Sequence, residues 1–316
     1  MSDPAQLIQK IRAALAPCTL GEWPTPLEQA PALARAVGLA ELAVKREDRS
    51  ASSYGGNKVR GLEFLFAGAA PGTTFVTVGG TGSTHCLATA VHAPKALGRA
   101  VVAQFPQPET PLARAVAAAC AVHAALVVRS RTRGTLPVAL LEAWRRARAF
   151  GPRRWIPGGG AHPRAVVGHF LAGLELALQV GSPPDLIVLP LGSGGTAAGL
   201  ALAVAQLEWR TKVIAVRVAP LIVANRWRVA RLARGARRLL ARRGVPLPAP
   251  RFPRILDGMG RGYGYPSPDG ERARALAADH GLTLDPTYGA KAFAALVQRG
   301  GRDMQRVVFW HTFALP

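Results

Sequence analysis

Lys58 has the setting that could do chemistry most directly. It closes the turn Ser53-Tyr-Gly-Gly-Asn-Lys58 and opens an apolar run of Val59, Leu62, Phe64, Leu65 and Phe66. That pattern predicts a helix starting at the lysine. A helix start carries unpaired N–H groups and partial positive charge, which disfavour an ammonium and lower its pKa. A neutral amine is a nucleophile towards an aldehyde. Lysine is otherwise a solvated surface residue. Of the six lysines, Lys10, Lys45, Lys58, Lys95, Lys212 and Lys291, only Lys58 lies in a Gly/Asn turn before a helix.

Gly192-Ser193-Gly194-Gly195-Thr196 lies between an apolar strand pattern and a small-residue helix pattern. Glycines let backbone approach a phosphate closely, and helix-start N–H groups point at it. The same stretch, read as Gly192-x-Gly194-x-x-Ala197, fits a dinucleotide fingerprint. The next strand ends near Arg217, which suits a 2′-phosphate, so an NADP oxidoreductase competes here. Gly79-Gly80-Thr81-Gly82-Ser83-Thr84-His85 is a second such turn. It can hold a carboxylate through backbone N–H groups and the Ser83 and Thr84 hydroxyls. Tyr263 and Tyr288 read either as core residues or as phenols that move protons, with pKa lowered by a nearby cation.

The segment Gly-Asn-Lys58-Val-Arg-Gly-Leu-Glu63 resembles Gly-Asn-Lys-x-Arg-Lys-Leu-Glu of the 1-aminocyclopropane-1-carboxylate deaminase and D-cysteine desulfhydrase family. Those are pyridoxal-phosphate enzymes of the tryptophan-synthase-β fold, fold type II. The resemblance implies that Lys58 carries the cofactor with Asn57 beside it. Gly192, Ser193, Gly194, Gly195 and Thr196 then form the phosphate loop. The family's Gly-Gly-x-Gln-Ser-Asn-His corresponds to Gly79–His85. Ser83 and His85 match, while Gly82 and Thr84 depart. Ser83 is placed at the substrate carboxylate and Thr84 at the ring hydroxyl. Gly262-Tyr263-Gly264-Tyr265-Pro266 and Leu284-Asp-Pro-Thr-Tyr288-Gly289 resemble segments that bring Tyr263 and Tyr288 into the site. The deaminases carry Glu after the second tyrosine, beside the pyridine nitrogen; here it is Gly289. His311-Thr312 resembles the desulfhydrase-like His-Thr, which places Thr312 at that nitrogen, and Phe313 replaces a glycine. The implied function is a lyase on a small amino acid. D-Cysteine-like β-elimination to pyruvate, ammonia and sulfide ranks ahead of cyclopropane ring opening, and a catalytically degenerate member stays open. A homodimer is implied by resemblance only.

Alternating strand and helix patterns must position these groups. Strands are expected at Leu42–Arg46, Thr74–Val78, Ala100–Phe105, Ala125–Val128, Asp185–Pro190, Lys212–Val218 and Arg306–Trp310. The helices between them include Ser83–Leu97, Pro111–Val122, Leu136–Ala149, Pro163–Val180 and Ala197–Leu207. This spacing builds parallel βαβ units. The expected architecture is α/β, a two-domain fold of parallel sheets flanked by helices. Residues 1–58 and 161–316 form the large phosphate-binding domain and 59–160 the small one. Pro157-Gly-Gly-Gly160 is the candidate crossing.

Of the 40 basic residues all but those six lysines are arginine, and the formal charge is +22. Such charge suggests a polyanion partner. Aromatics are only 6% of the chain, too few for a base-stacking platform. Asn225–Arg243 carries eight arginines and no acid, with Val229, Leu232, Ala233, Ala236, Leu239 and Leu240 at helical spacing. It reads as a helix with one buried stripe and a solvated basic face. No nucleic-acid partner is expected. Cys18, Cys86 and Cys120 form no C-x-x-C pair, so neither a disulfide framework nor a metal site is expected. The absence of a signal-peptide pattern and of any long uncharged apolar stretch leads to the expectation of a cytoplasmic protein without a membrane span.

Overall fold

Residues 3–299 and 305–315 are described in a computed structural model. The N-terminal segment forms helix α1 (Pro4–Leu15), strand β1 (Leu27–Gln29), helix α2 (Pro31–Ala36), strand β2 (Glu41–Arg46) and helix α3 (Lys58–Phe66). Next come β3 (Thr74–Gly80), α4 (Thr84–His92), β4 (Arg99–Phe105), α5 (Pro111–His123), β5 (Leu126–Arg129), α6 (Leu136–Arg146) and β6 (Arg153–Trp155). Then follow α7 (Pro163–Gln179), β7 (Leu186–Leu191), α8 (Gly195–Gln206), β8 (Lys212–Arg217) and α9 (Arg226–Ala241). The chain ends with β9 (Arg254–Asp257), α10 (Pro268–Asp279), α11 (Gly289–Arg299) and β10 (Arg306–His311).

The strands make two sheets, one of six in the order β1-β2-β10-β7-β8-β9 and one of four in the order β5-β4-β3-β6. All pairs are parallel except β1 with β2. The last strand inserts between β2 and β7, so both ends of the chain are built into one sheet. Every residue of β7, Leu-Ile-Val-Leu-Pro-Leu, is buried. That is the pattern of a parallel strand covered on both faces.

Small residues let the helices beside the site approach closely. A Cβ on Gly168 of α7 would lie 2.1 Å from the Arg60 carbonyl of α3, and one on Gly199 of α8 2.5 Å from His169. Glycine at these two positions therefore sets how near α3 and α8 come to α7. Behind α3 lies a buried ion cluster. Arg60 Nε donates to Glu47 Oε2 at 2.6 Å and its Nη2 to Glu175 Oε1 at 2.8 Å. Lys45 also pairs with Glu175, and its Nζ donates to Thr25 O at 2.8 Å.

The helix expected over Ser83–Leu97 stops at His92 and continues as a tighter turn at Pro94–Ala96. Proline lacks the N–H the helix needs and clashes with the preceding turn. β6 and β9 were not foreseen; at three and four residues each is too short to show an alternating pattern. Leu239 is only half-buried, whereas the other five foreseen stripe positions of α9 are buried. Among the described residues no helix is long and apolar enough to cross a membrane.

Candidate active site

Lys58 is the first residue of α3. The turn before it is held in place by backbone. Gly56 adopts φ +96°, which favours glycine. Ser50 Oγ donates to Gly56 O at 2.9 Å, and Asn57 N donates to Thr312 O at 3.0 Å. The Lys58 side chain keeps partial solvent contact. Its amine has no hydrogen-bond or ion-pair partner among the described residues. Desolvation lowers its pKa to about 8, supplying the shift that the sequence reading assigned to the helix start.

β7 leads into Gly192–Thr196, and α8 begins within that loop. Asn57 Nδ2 donates to Thr196 Oγ1 at 2.8 Å, which ties the lysine turn to the glycine loop. Ser193 Oγ donates to Gly159 O at 2.8 Å, and Arg228 Nε of α9 donates to Ser193 O at 3.3 Å. The loop's glycines leave it bare. A Cβ on Gly192 would lie 3.5 Å from Tyr288 Cε1, and one on Gly195 3.1 Å from His169 Nε2. Five predicted residues of the loop, the two of the lysine turn, Thr312 and Tyr288 are thus brought together.

Tyr263 and Tyr288 share a hydrogen bond through their hydroxyls, and their rings meet edge to face at 5.9 Å. Tyr288 also stacks on Phe313 at 6.0 Å. The sequence reading allows core residues or phenols whose pKa a nearby cation lowers. Burial by the protein alone raises both, Tyr288 well above the usual value, because taking the phenolate out of water is costly. Both phenols therefore stay protonated at neutral pH. Asp285 fixes the backbone of this segment, accepting from Tyr288 N and, at 2.7 Å, from Gly289 N. Gly289 offers no carboxylate.

Ser83 caps α4, accepting from Cys86 N at 3.4 Å. Thr84 opens that helix, and its hydroxyl makes no hydrogen bond among the described residues. Among the described residues no hydrogen bond joins Ser83 or Thr84 to Lys58 or the tyrosines. His85, next on α4, is buried and takes Thr77 Oγ1 at 2.9 Å. Burial and then the Lys58 charge lower its pKa to about 3. The sequence reading missed His169. It projects from α7 with its Nδ1 3.5 Å from Thr196 Oγ1. Burial, then Lys58 and Arg60, lower its pKa to about 3. A lone imidazole in the otherwise apolar run Ala165–Leu174 was the available signal.

Residues 18–312 match the sequence profile of the pyridoxal-phosphate dependent enzymes. The chain is 38% identical to a nocardicin C-9′ epimerase of Nocardia uniformis subsp. tsuyamanensis, over 91% of each chain. It is 32% identical to a D-cysteine desulfhydrase of Klebsiella pneumoniae strain 342, over 93% of this chain and 92% of that one. Its fold matches a crystal structure of an ACC deaminase homologue with a TM-score of 0.82 at 27% identity, over 96% of this chain and 94% of that one. The site fits pyridoxal phosphate. It presents an unpartnered amine beside a bare glycine cradle at the start of α8, and a Cβ on Gly194, at φ +92°, would be strained.

Proposed function

The chain belongs to the pyridoxal-phosphate-dependent enzyme family, and on that premise we propose that it is a lyase for a small amino acid. D-Cysteine-like β-elimination to pyruvate, ammonia and sulfide ranks ahead of 1-aminocyclopropane-1-carboxylate ring opening. The observation that carries this reading is the unpartnered Lys58 amine, with pKa about 8, tied through Asn57 and Thr196 to the glycine loop.

Lys58 is proposed as the attachment point, and Gly192, Ser193, Gly194, Gly195 and Thr196 as the phosphate cradle. When bound, pyridoxal phosphate supplies the electron sink for charge developing at the substrate Cα. The chain's residues do the rest. Backbone N–H groups at the start of α4, with Ser83, hold the substrate carboxylate, and Thr84 would hydrogen-bond the ring hydroxyl of the bound cofactor. Lys58 Nζ removes the Cα proton, a task suited to an amine with pKa near neutrality. The Cβ–S bond breaks, and the departing sulfur takes a proton from Tyr288 Oη, which Tyr263 Oη can replace through their shared hydrogen bond. Water then converts the remaining fragment to pyruvate and ammonia. Gly289 gives the pyridine nitrogen no carboxylate, and Thr312 is proposed as its hydrogen-bond partner. A weaker sink suffices when the leaving group is good, which supports elimination over ring opening.

Epimerisation at Cα is the second reading. It rests on the similarity to the epimerase and on two separate proton-handling groups, Lys58 and the tyrosine pair. We also propose the division into residues 1–58 with 161–316 and residues 59–160, a homodimer, and a cytoplasmic location.

The purified protein is expected to be yellow, with borohydride fixing a pyridoxyl group on Lys58 detectable by peptide mass spectrometry. D-Cysteine and β-chloro-D-alanine are expected to release pyruvate. Formation of 2-oxobutyrate from the cyclopropane substrate, with no elimination from the other two, would reverse the ranking. Deuterium uptake at Cα without pyruvate would select epimerisation. A colourless protein that takes up NADPH would replace both readings.

A further inference from the structure

A narrow cleft beside the tyrosine pair is lined by Thr81, Gln107, Thr110, Tyr263, Thr287 and Tyr288 among others, and no side chain lining it is charged. Its walls therefore offer hydroxyls and one amide. β3 ends in Gly79-Gly80, and successive strand residues face opposite sides. A Cβ on Gly79 would lie 2.5 Å from Ser83 Oγ, and one on Gly80 2.2 Å from Gln107 Cγ. The Ser83 hydroxyl and the start of α4, which suit a carboxylate, thus lie on one face of the strand end. The Gln107 amide lies on the other.

Tyr263 and Tyr288 satisfy each other, but the Gln107 amide has no hydrogen bond at either end among the described residues, and its Oε1 is sealed from solvent. Buried polar groups are seldom left without partners, and leaving one unpaired is destabilising. Oε1 is out of reach of the cleft in this rotamer, so a ligand there would meet the Nε2 end and, once the amide turns, Oε1. An amide offers both donor and acceptor, so it suits an uncharged polar group of either kind. A charged group would be desolvated there with no counter-ion.

Resting on the proposed function, we propose that Gln107 is a specificity-determining residue that hydrogen-bonds the side chain of the amino-acid substrate. The site then selects amino acids with a small, uncharged, polar side chain bearing a hydroxyl, thiol or amide. Glycine at position 80 is part of the device, because any side chain there would displace the glutamine.

The test uses the cofactor-loaded protein and reads the change in its visible absorption on titration with serine and alanine, each as both enantiomers. Wild type is expected to bind one serine enantiomer roughly three- to tenfold more tightly than the matching alanine, the range of one neutral hydrogen bond. Q107L is expected to bring that ratio close to one while leaving alanine affinity and cofactor absorbance unchanged and the unfolding midpoint unchanged or raised. Q107E is expected to move preference towards 2,3-diaminopropionate, whose side chain is cationic. A serine preference that survives in Q107L overturns the proposal. So does equal weakening of serine and alanine, which would place the amide at the carboxylate. Binding of amino acids by wild type with no preference for serine sinks this inference alone. Absence of any spectral change with any amino acid sinks the proposed function with it.

Discussion

Lys58 and the groups around it carry opposite electrostatic tendencies. Desolvation pushes the amine towards its neutral form, and burial, helped by the remaining charge of Lys58, keeps His85 and His169 neutral. In cofactor-free protein, the rate at which acetic anhydride acylates Lys58 is expected to rise with pH and level off above about 8. An ordinary lysine would keep gaining rate towards 10.5. A midpoint near 10 would show the amine to be solvated. Tyr288 Oη is proposed to give its proton to the leaving group. Tyr288→Phe is therefore expected to lower kcat roughly 100- to 1000-fold with the cofactor absorbance retained. Tyr263→Phe, acting only through Tyr288, is expected to cost less. Equal kcat for Y288F and wild type would remove the phenol from the mechanism.

At the scale of elements, α3 is anchored by what lies behind it. Arg60 is buried between Glu47 and Glu175, and Arg60→Ala leaves two buried carboxylates with only Lys45 to compensate them. Breaking such a cluster from one side is expected to destabilise the fold by about 3–5 kcal/mol, measured as a shift in urea unfolding. A loss near zero would mean that water reaches the carboxylates. Asp48, just after β2, provides a pH handle. Burial would raise its carboxyl, but His311 and Arg46 outweigh that and hold it at about 2, below its ordinary 3.8. A depressed carboxyl contributes stability above the unfolded pKa and loses it as pH falls through the folded value. Asp48→Asn is therefore expected to lower stability at pH 6 and to flatten its fall between pH 4 and 2. The two histidines act earlier. With folded values near 3 and ordinary values of 6.5, they favour unfolding progressively as pH drops below 6.5.

For the whole molecule the question is what the charge of +22 does. The guanidinium face of α9, with Arg226, Arg231, Arg234, Arg237 and Arg238, is exposed, while the opposite stripe is buried against α7 and α8. Arg228 turns inward to the Ser193 carbonyl, and Arg237 Nε donates to Leu247 O at 2.8 Å. We propose that this face is solvated and not a polyanion site. The protein is expected to elute from immobilised duplex DNA at physiological salt. Tight retention, lost on replacing these arginines, would show a polyanion site.

The sequence by itself determined the βαβ order, the glycine turns and the lysine, because these are local. A fully apolar run such as Leu186–Leu191 has to be covered on both faces, and a turn such as Gly55-Gly56-Asn57 needs residues that tolerate its backbone. Tertiary structure alone decided which distant segments meet. The insertion of β10 between β2 and β7 brings Thr312 to Asn57, and no pattern in either segment specifies that pairing. The roles of His169 and Gln107 were illegible for the same reason. His169 stands out as a lone imidazole in an apolar run and Gln107 does not stand out, and only packing across Gly195 and Gly80 makes one a neighbour of the lysine and the other an unpaired amide. The phenols show the limit on energetics. Residue type says that a tyrosine can titrate, but the direction of its shift follows from how much water the surrounding fold removes.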